Sequence, residues 1–317
     1  MPERQQLALF PDAVAGPSLR EVAEAVRESG VEGLPGAKQL ADNARYQEVR
    51  VRSALSRVRG MPFAWALNPY RGCTHACHYC YARKYQRHLE LGAGDEFSSV
   101  IFVKVDMPAA LARELARPTW TREDVAIGTA TDPYQPIEGH YRLTRWAITL
   151  LSAADTPFSI VTKGPMVVRD ADLLAAAAAS SGCRVFVSVP SVDEDAWQAL
   201  EPGTASPAQR LRAATVLRDA GVPVSILMMP LVPAFTTSRA KIERTVAAVA
   251  DAGLDLASAS VARLDDGVKG YFVDFIERRF PALLDGYRRL YTGTRVPRDY
   301  GDAVRRRVGD ARQRRGI

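Results

Sequence analysis

Within the segment NPYRGCTHACHYCYAR (68–83), three cysteines fall inside eight residues: Cys73, Cys77 and Cys80. The Cys-x3-Cys-x2-Cys spacing is that of a metal site and not of a disulfide framework. Three thiolates on one loop can each ligate one iron of a cubane [4Fe–4S] cluster, which leaves the fourth iron without a protein ligand. An open iron suits a chelating cofactor that carries the reactive chemistry, while the protein supplies position and excludes side reactions. Two alternatives use the same residues. One is a zinc site of the three thiolates with His75 or His78, and the other is an electron-transfer cluster completed by a distant ligand. Structural zinc draws its ligands from two separated knuckles, whereas here every candidate crowds one loop. The fourth cysteine, Cys183, opens the apolar run CRVFVSVP and reads as a small core residue.

A loop can present three thiolates only if rigid elements hold its ends. The loop follows an apolar run at 63–67, and further runs lie at 100–105, 125–131, 158–162, 185–189 and 224–229. Helical stretches follow, among them 108–117, 142–154, 170–181 and 207–220. Continuous apolar strands alternating with amphipathic helices predict a parallel sheet covered by helices. Ser206 before Pro207 reads as a helix N-cap, and Gly221 and Gly253 stand where helices end. On pattern alone, six such units fit a barrel fragment and a doubly wound open sheet equally. Either fold gathers its functional residues in the loops after the strands. Residues 1–58 read as a leader with helices at 19–29 and 43–58, 59–265 as the α/β domain, and 266–317 as a helical, basic tail. The stretch 256–264 is a candidate seventh strand.

Apolar residues make up 47% of the 317, enough for a large core, and no run is long enough to span a membrane. The N-terminus lacks the order of a secretory signal, so a cytoplasmic protein is expected. The net charge is +6, and residues 295–317 carry most of it, with eight Arg against three Asp. Such a tail can meet phosphates or an acidic partner, although most charge runs are solvated faces.

The cysteine spacing, with an aromatic residue before the last cysteine and a β/α repeat behind it, resembles the radical S-adenosylmethionine superfamily. NPYRGCTHACHYCYAR, ATDPYQPIE, LTR, TKG, RDADLL and EPGTASPAQRL resemble, more narrowly, its spore-photoproduct-lyase-related group, often called DNA repair photolyases. The likeness runs over roughly 60–265. It implies a partial (β/α)6 TIM-like barrel with an N-terminal leader and a C-terminal helical extension. It also implies a [4Fe–4S] cluster and S-adenosylmethionine, with reductive cleavage to a 5′-deoxyadenosyl radical. A reductant such as flavodoxin or ferredoxin is implied too, and DNA or RNA is one candidate substrate. The alternative is a nucleic-acid-binding protein with a structural cluster or zinc.

By the same resemblance, Tyr81, Thr131, Lys163 and Ser188 hold S-adenosylmethionine, and Tyr79 and Tyr81 are candidates for a radical relay. Lys163 can pair with the methionyl carboxylate, and the two hydroxyls can hydrogen-bond carboxylate or ribose. Asp132, Tyr134, Gln135 and Glu138 offer polar groups to a ligand, or else Asp132 closes a structural turn. Glu201, in a later loop, is a weaker candidate. The lyase of this group donates hydrogen from a cysteine near the end of its third strand. Thr129 stands in the matching stretch here, and an alcohol O–H is too strong to replace a thiol in that role.

Overall fold

The computed structural model describes residues 38–41, 44–89 and 91–317. The expected helix at 19–29 lies outside these residues. Eleven strands are described: β1 (Lys38–Ala41), β2 (Ala44–Val49), β3 (Leu55–Arg57), β4 (Trp65–Leu67), β5 (Tyr70–Arg71), β6 (Val100–Lys104), β7 (Val125–Ile127), β8 (Phe158–Thr162), β9 (Cys183–Ser188), β10 (Val224–Leu231) and β11 (Asp255–Val261). Seven form one sheet in the order β11-β10-β9-β8-β7-β4-β3. Its first six strands pair in parallel, and β3 closes the edge antiparallel to β4. The result is an α/β fold of the partial TIM-like kind. The side chains of β7 are buried on both faces, as a helix-covered parallel strand requires.

Three sequence expectations change. The run at 100–105 is a strand, but it belongs to a second sheet of order β1-β2-β6-β5 and not to the barrel. The chain reverses after β4 into β5, which pairs antiparallel with β6, while β2 flanks β6 in parallel. That leaves β7 to pair with β4 directly, and β11 supplies the sixth parallel strand. The expected helix at 43–58 is instead β2 and β3: along Ala44–Val49 buried and half-buried residues alternate imperfectly, with Tyr46 and Val49 inward. The run at 125–131 ends as a strand at Ile127. Gly128 follows with φ +88°, where a Cβ would stand 2.5 Å from Val161 O, so the chain turns there.

The expected helices form at Met107–Leu115, Leu143–Ala153, Ala171–Ala179 and Pro207–Asp219. The last opens on a capping box, with Ser206 and Gln209 each bonding the other's backbone. Gly221 and Gly253 take positive φ where helices end. Helices Asp266–Arg279 and Leu284–Leu290 bring Phe272, Phe275, Tyr287 and Tyr291 into one apolar cluster with Cys77 and Tyr79. The final helix, Arg298–Arg315, lays Val304, Val308 and Ala311 against the main core. Its outward arginines are partly paired, Arg314 with Glu243 and Arg315 with Asp251. No helix among the described residues is long and apolar enough to cross a membrane.

Candidate active site

The cysteine loop leaves the sheet through β4 and β5 and is pinned at both ends. Gly72 has φ +82°, and a Cβ there would stand 2.6 Å from Val100 O, so β6 lies directly under the start of the loop. Cys73 N donates to Phe97 O at 2.9 Å. Arg83, fully enclosed, gathers the other end: Nε reaches Cys77 O at 3.0 Å, and Nη2 reaches Ala76 O at 2.9 Å. Its Nη1 bonds Ala93 O and Gly94 O, and its guanidinium lies over the rings of Phe97 and Tyr271. Buried carbonyls would otherwise lack donors, so one planar cation satisfies four of them.

Two later loops clamp the middle. The turn after the helix Glu194–Leu200 receives His78 N on Leu200 O at 3.0 Å, and Gly203 N donates to His75 O at 3.1 Å. A Cβ on Gly203 would stand 2.1 Å from Thr74 O, so only glycine permits this approach. From the loop after β7, Gln135 Oε1 accepts from Thr74 N at 3.1 Å. Thr131 Oγ1 donates to Gly72 O at 2.6 Å and accepts from Gln135 Nε2 at 3.0 Å, so its hydroxyl proton is engaged with the loop.

Asp132 binds three partners by hydrogen bonds. It accepts from Tyr134 N at 2.9 Å, Thr162 Oγ1 at 2.6 Å and Lys163 N at 2.7 Å, and pairs with His75 Nδ1 at 3.2 Å. Burial works against both charges, but their attraction and the hydrogen bonds win, with Cys73 adding to the pull on His75, and hold Asp132 at about 2 and His75 at about 10. Tyr134 donates to Asp170 at 3.0 Å. Glu138 accepts from Tyr70 OH at 2.5 Å and Thr144 N at 3.0 Å, and pairs with Arg169 at 2.8 Å. All four polar residues of this loop are thus engaged within the protein, which is the structural-turn alternative.

Cys73 and Cys77 are buried and Cys80 is partly exposed. Burial pushes the Cys77 and Cys80 thiols up, and the neighbouring thiols add to it. Three thiolates in such a place need a multivalent cationic group to balance them, as an iron–sulfur cluster would. Among the described residues, no three Cys, His, Asp or Glu groups converge on one ion. A cubane takes each thiolate on a different iron, so three cysteines on one loop suffice for it. The donor set fits the cluster.

Beside the thiols, at the ends of β8 and β9, Lys163 Nζ donates to Ser188 Oγ at 3.2 Å, and Ser188 Oγ donates to Met229 O at 3.1 Å. Glu201 lies 4.0 Å from Lys163, and Tyr79 OH donates to it. Its closer partner is the fully buried Arg210 at 2.5 Å, which also bonds Ser188 O at 3.1 Å and Ala205 O at 2.8 Å. Glu201 thus turns Oε2 to Arg210 and its other oxygen toward Lys163. Burial lowers the Lys163 pKa, but Cys77 and Glu201 together raise it past its ordinary value. The structure therefore brings Lys163, Ser188 and Tyr79 into one cluster. Tyr81 points elsewhere: the residue is 44% exposed and its hydroxyl donates to Thr129 O. Sequence reasoning missed Arg83 and Arg210, because a lone arginine in a helical stretch carries no signal of burial.

The sequence profile of the Radical SAM superfamily matches residues 67–246. An uncharacterized protein of Mycobacterium tuberculosis is 36% identical over 289 residues, which cover 87% of this chain and 85% of the relative. An uncharacterized protein of Methanocaldococcus jannaschii is 28% identical over 171 residues, 53% of this chain and 61% of the relative. A solved structure titled spore photoproduct lyase complexed with dinucleoside spore photoproduct superposes with a TM-score of 0.66. The match covers 96% of this chain and 94% of that one at 19% identity, so the likeness is one of fold. With its cysteine loop, its parallel sheet and this profile in agreement, the chain belongs to the radical SAM superfamily.

Proposed function

We propose that this enzyme carries a [4Fe–4S] cluster on Cys73, Cys77 and Cys80, and that it binds S-adenosylmethionine against Lys163 and Ser188. Membership of the superfamily implies both cofactors. When bound, they supply a one-electron cleavage that yields methionine and a 5′-deoxyadenosyl radical able to take hydrogen from a substrate. The chain's own contribution is position and charge. The observation that carries the reading is the Lys163 ammonium, beside the three thiols, with its nearest carboxylate already paired to Arg210. It can hold the methionyl carboxylate, while Ser188 orients the ammonium and offers its hydroxyl. Gly203 and Arg83 keep the thiols on a rigid loop, and the aromatic cluster of Phe272, Phe275 and Tyr79 keeps water from their far side.

The structural relative is titled as a complex with a dinucleoside lesion. A DNA-related substrate is the matching proposal for this chain, through a route that uses no thiol at position 129. The test is anaerobic reconstitution with iron and sulfide, then dithionite and S-adenosylmethionine. We expect ~4 iron per chain and release of 5′-deoxyadenosine. Iron should be lost in Cys77→Ala and kept in Cys183→Ala. A reconstituted protein that takes up iron and never yields 5′-deoxyadenosine would return the site to a structural role.

A further inference from the structure

Two cations beside the cysteine loop have no carboxylate partner among the described residues. Arg71 ends β5 and Lys104 ends β6, on neighbouring antiparallel strands. Lys104 Nζ donates to Asn68 O at 2.7 Å. Arg71 donates through Nη2 to Tyr85 O, and its buried Nε has no hydrogen-bond partner. Among the described residues, neither forms a salt bridge, although both are only partly exposed. Arg71 pairs with Phe102 across the ladder, and Lys104 is two residues further along the same strand, so the two side chains leave the same face. Like charges held together away from water destabilise a fold unless something neutralises them.

Their position tells what that something meets. Asn68 follows β4 and bonds Thr129 Oγ1 at 3.3 Å and Ala130 N at 2.7 Å, so Lys104 is tied to the loop after β7. The exposed ring of Tyr81 closes the same corner through Thr129 O, with Lys84 Nζ 5.7 Å over its centroid. Lys84 itself is paired with Asp265 at 2.6 Å. A doubly charged spot beside an exposed aromatic face matches the backbone and bases of a single nucleic-acid strand.

We propose that Arg71 and Lys104 form a phosphate subsite for a nucleic-acid substrate, seating one phosphodiester beside the loop that carries the cysteines. The inference rests on the radical-enzyme reading and names the substrate class of that site. Partly exposed Arg71 offers a terminal guanidinium nitrogen to a phosphate oxygen, and Lys104 adds a point charge. Asn68 and Thr129 then face whatever the phosphate positions.

The experiment uses the reconstituted holoenzyme, with S-adenosylmethionine binding and iron content as controls for folding. A labelled single strand of ~12 nucleotides is titrated between about 50 and 300 mM salt. Lys104→Gln and Arg71→Gln should each weaken binding ~10-fold at low salt and reduce the log–log salt slope by about 1. Thymidylyl-thymidine should compete better than its uncharged methylphosphonate analogue, a comparison made on the unaltered protein. Unchanged affinity and slope in both variants, or equal competition by the uncharged analogue, overturns the subsite. Competition by inorganic phosphate as strong as by the dinucleotide assigns the pair to a small phosphorylated molecule and overturns the nucleic-acid assignment. A failure of the radical-enzyme reading looks different: 5′-deoxyadenosine is absent while phosphate binding remains.

Discussion

At the scale of single residues, Lys163 and Thr129 make the sharpest tests. Lys163 stands 4.0 Å from Glu201, whose closer partner is Arg210 at 2.5 Å. Lys163→Met keeps bulk and removes the charge. It should weaken S-adenosylmethionine binding by about 1.5–3 kcal/mol, with iron content unchanged, as read from the cofactor-induced change in the EPR signal of the reduced cluster. An unaltered signal change at unaltered concentration refutes the role. Thr129 accepts from Asn68 and presents no thiol. The spare thiol, Cys183, begins β9 and is buried, its pKa pushed up to about 12 by burial. Ser188, at the other end of β9, lies five residues on, about 16 Å at roughly 3.3 Å per residue. A thiol there cannot quench a substrate radical near Lys163. Incubation with the synthetic dinucleotide lesion should therefore release little thymidylyl-thymidine, and clean, efficient release would show that the hydrogen donor has been misplaced.

At the scale of elements, the loops after β7 and β9 act as clamps. Gly203 sits 120 or more residues from the cysteines in sequence, yet its α-carbon faces Thr74 O so closely that a methyl has no room. Gly203→Ala should push the cysteine loop off its bed. Iron uptake on reconstitution is expected to fall several-fold while the far-ultraviolet circular dichroism keeps its shape. Full iron uptake would mean that the loop does not need this contact. The other clamp is anchored by Asp170, whose enclosed carboxylate accepts from Tyr134 at 3.0 Å and pairs with Arg145 at 2.7 Å and Arg169 at 2.8 Å. Burial raises its pKa, but these partners outweigh it and hold the carboxylate below its ordinary range. A depressed carboxylate stabilises the fold above its unfolded pKa near 4, and that contribution disappears as the pH falls through the lower folded value. Asp170→Asn should cost about 2–4 kcal/mol at neutral pH and much less at pH 2–3. An equal cost at both pH values, by chemical denaturation, would rule out the charge as the source.

At the scale of the whole molecule, the basic C-terminus is part of the core. The helix Arg298–Arg315 turns Val304, Val308 and Ala311 inward, and Arg307 donates to Thr237 O at 2.9 Å. Val304→Asp buries a charge without a partner. It should lower stability by about 3 kcal/mol and Tm by roughly 6–12 °C. A Tm within a degree of the parent would show that the helix is an appendage. Removing 295–317 to test nucleic-acid contact would therefore disturb the fold, and charge substitutions at exposed positions such as Arg306 are the cleaner variants.

The sequence by itself put three cysteines on one loop, because that needs only local spacing. It also determined most strands and helices, because apolar periodicity, the Ser206 cap and the glycine stops are local features too. Lys163 and Ser188 were singled out by resemblance to a known family, and the fold places them at neighbouring strand ends, with Lys163 Nζ on Ser188 Oγ at 3.2 Å. Tertiary structure alone decided which strands are neighbours. The run at Val100–Lys104 had strand character whichever sheet it joined, and its pairing with β2 on one side and β5 on the other put it in the second sheet. It also decided that Asp132, Tyr134, Gln135 and Glu138 bind protein groups, that Arg210 takes Glu201, and that Arg71 and Lys104 share a corner. Each of these depends on contacts between residues distant in sequence, where a polar side chain's partner is set by packing and its residue type says only that it needs one.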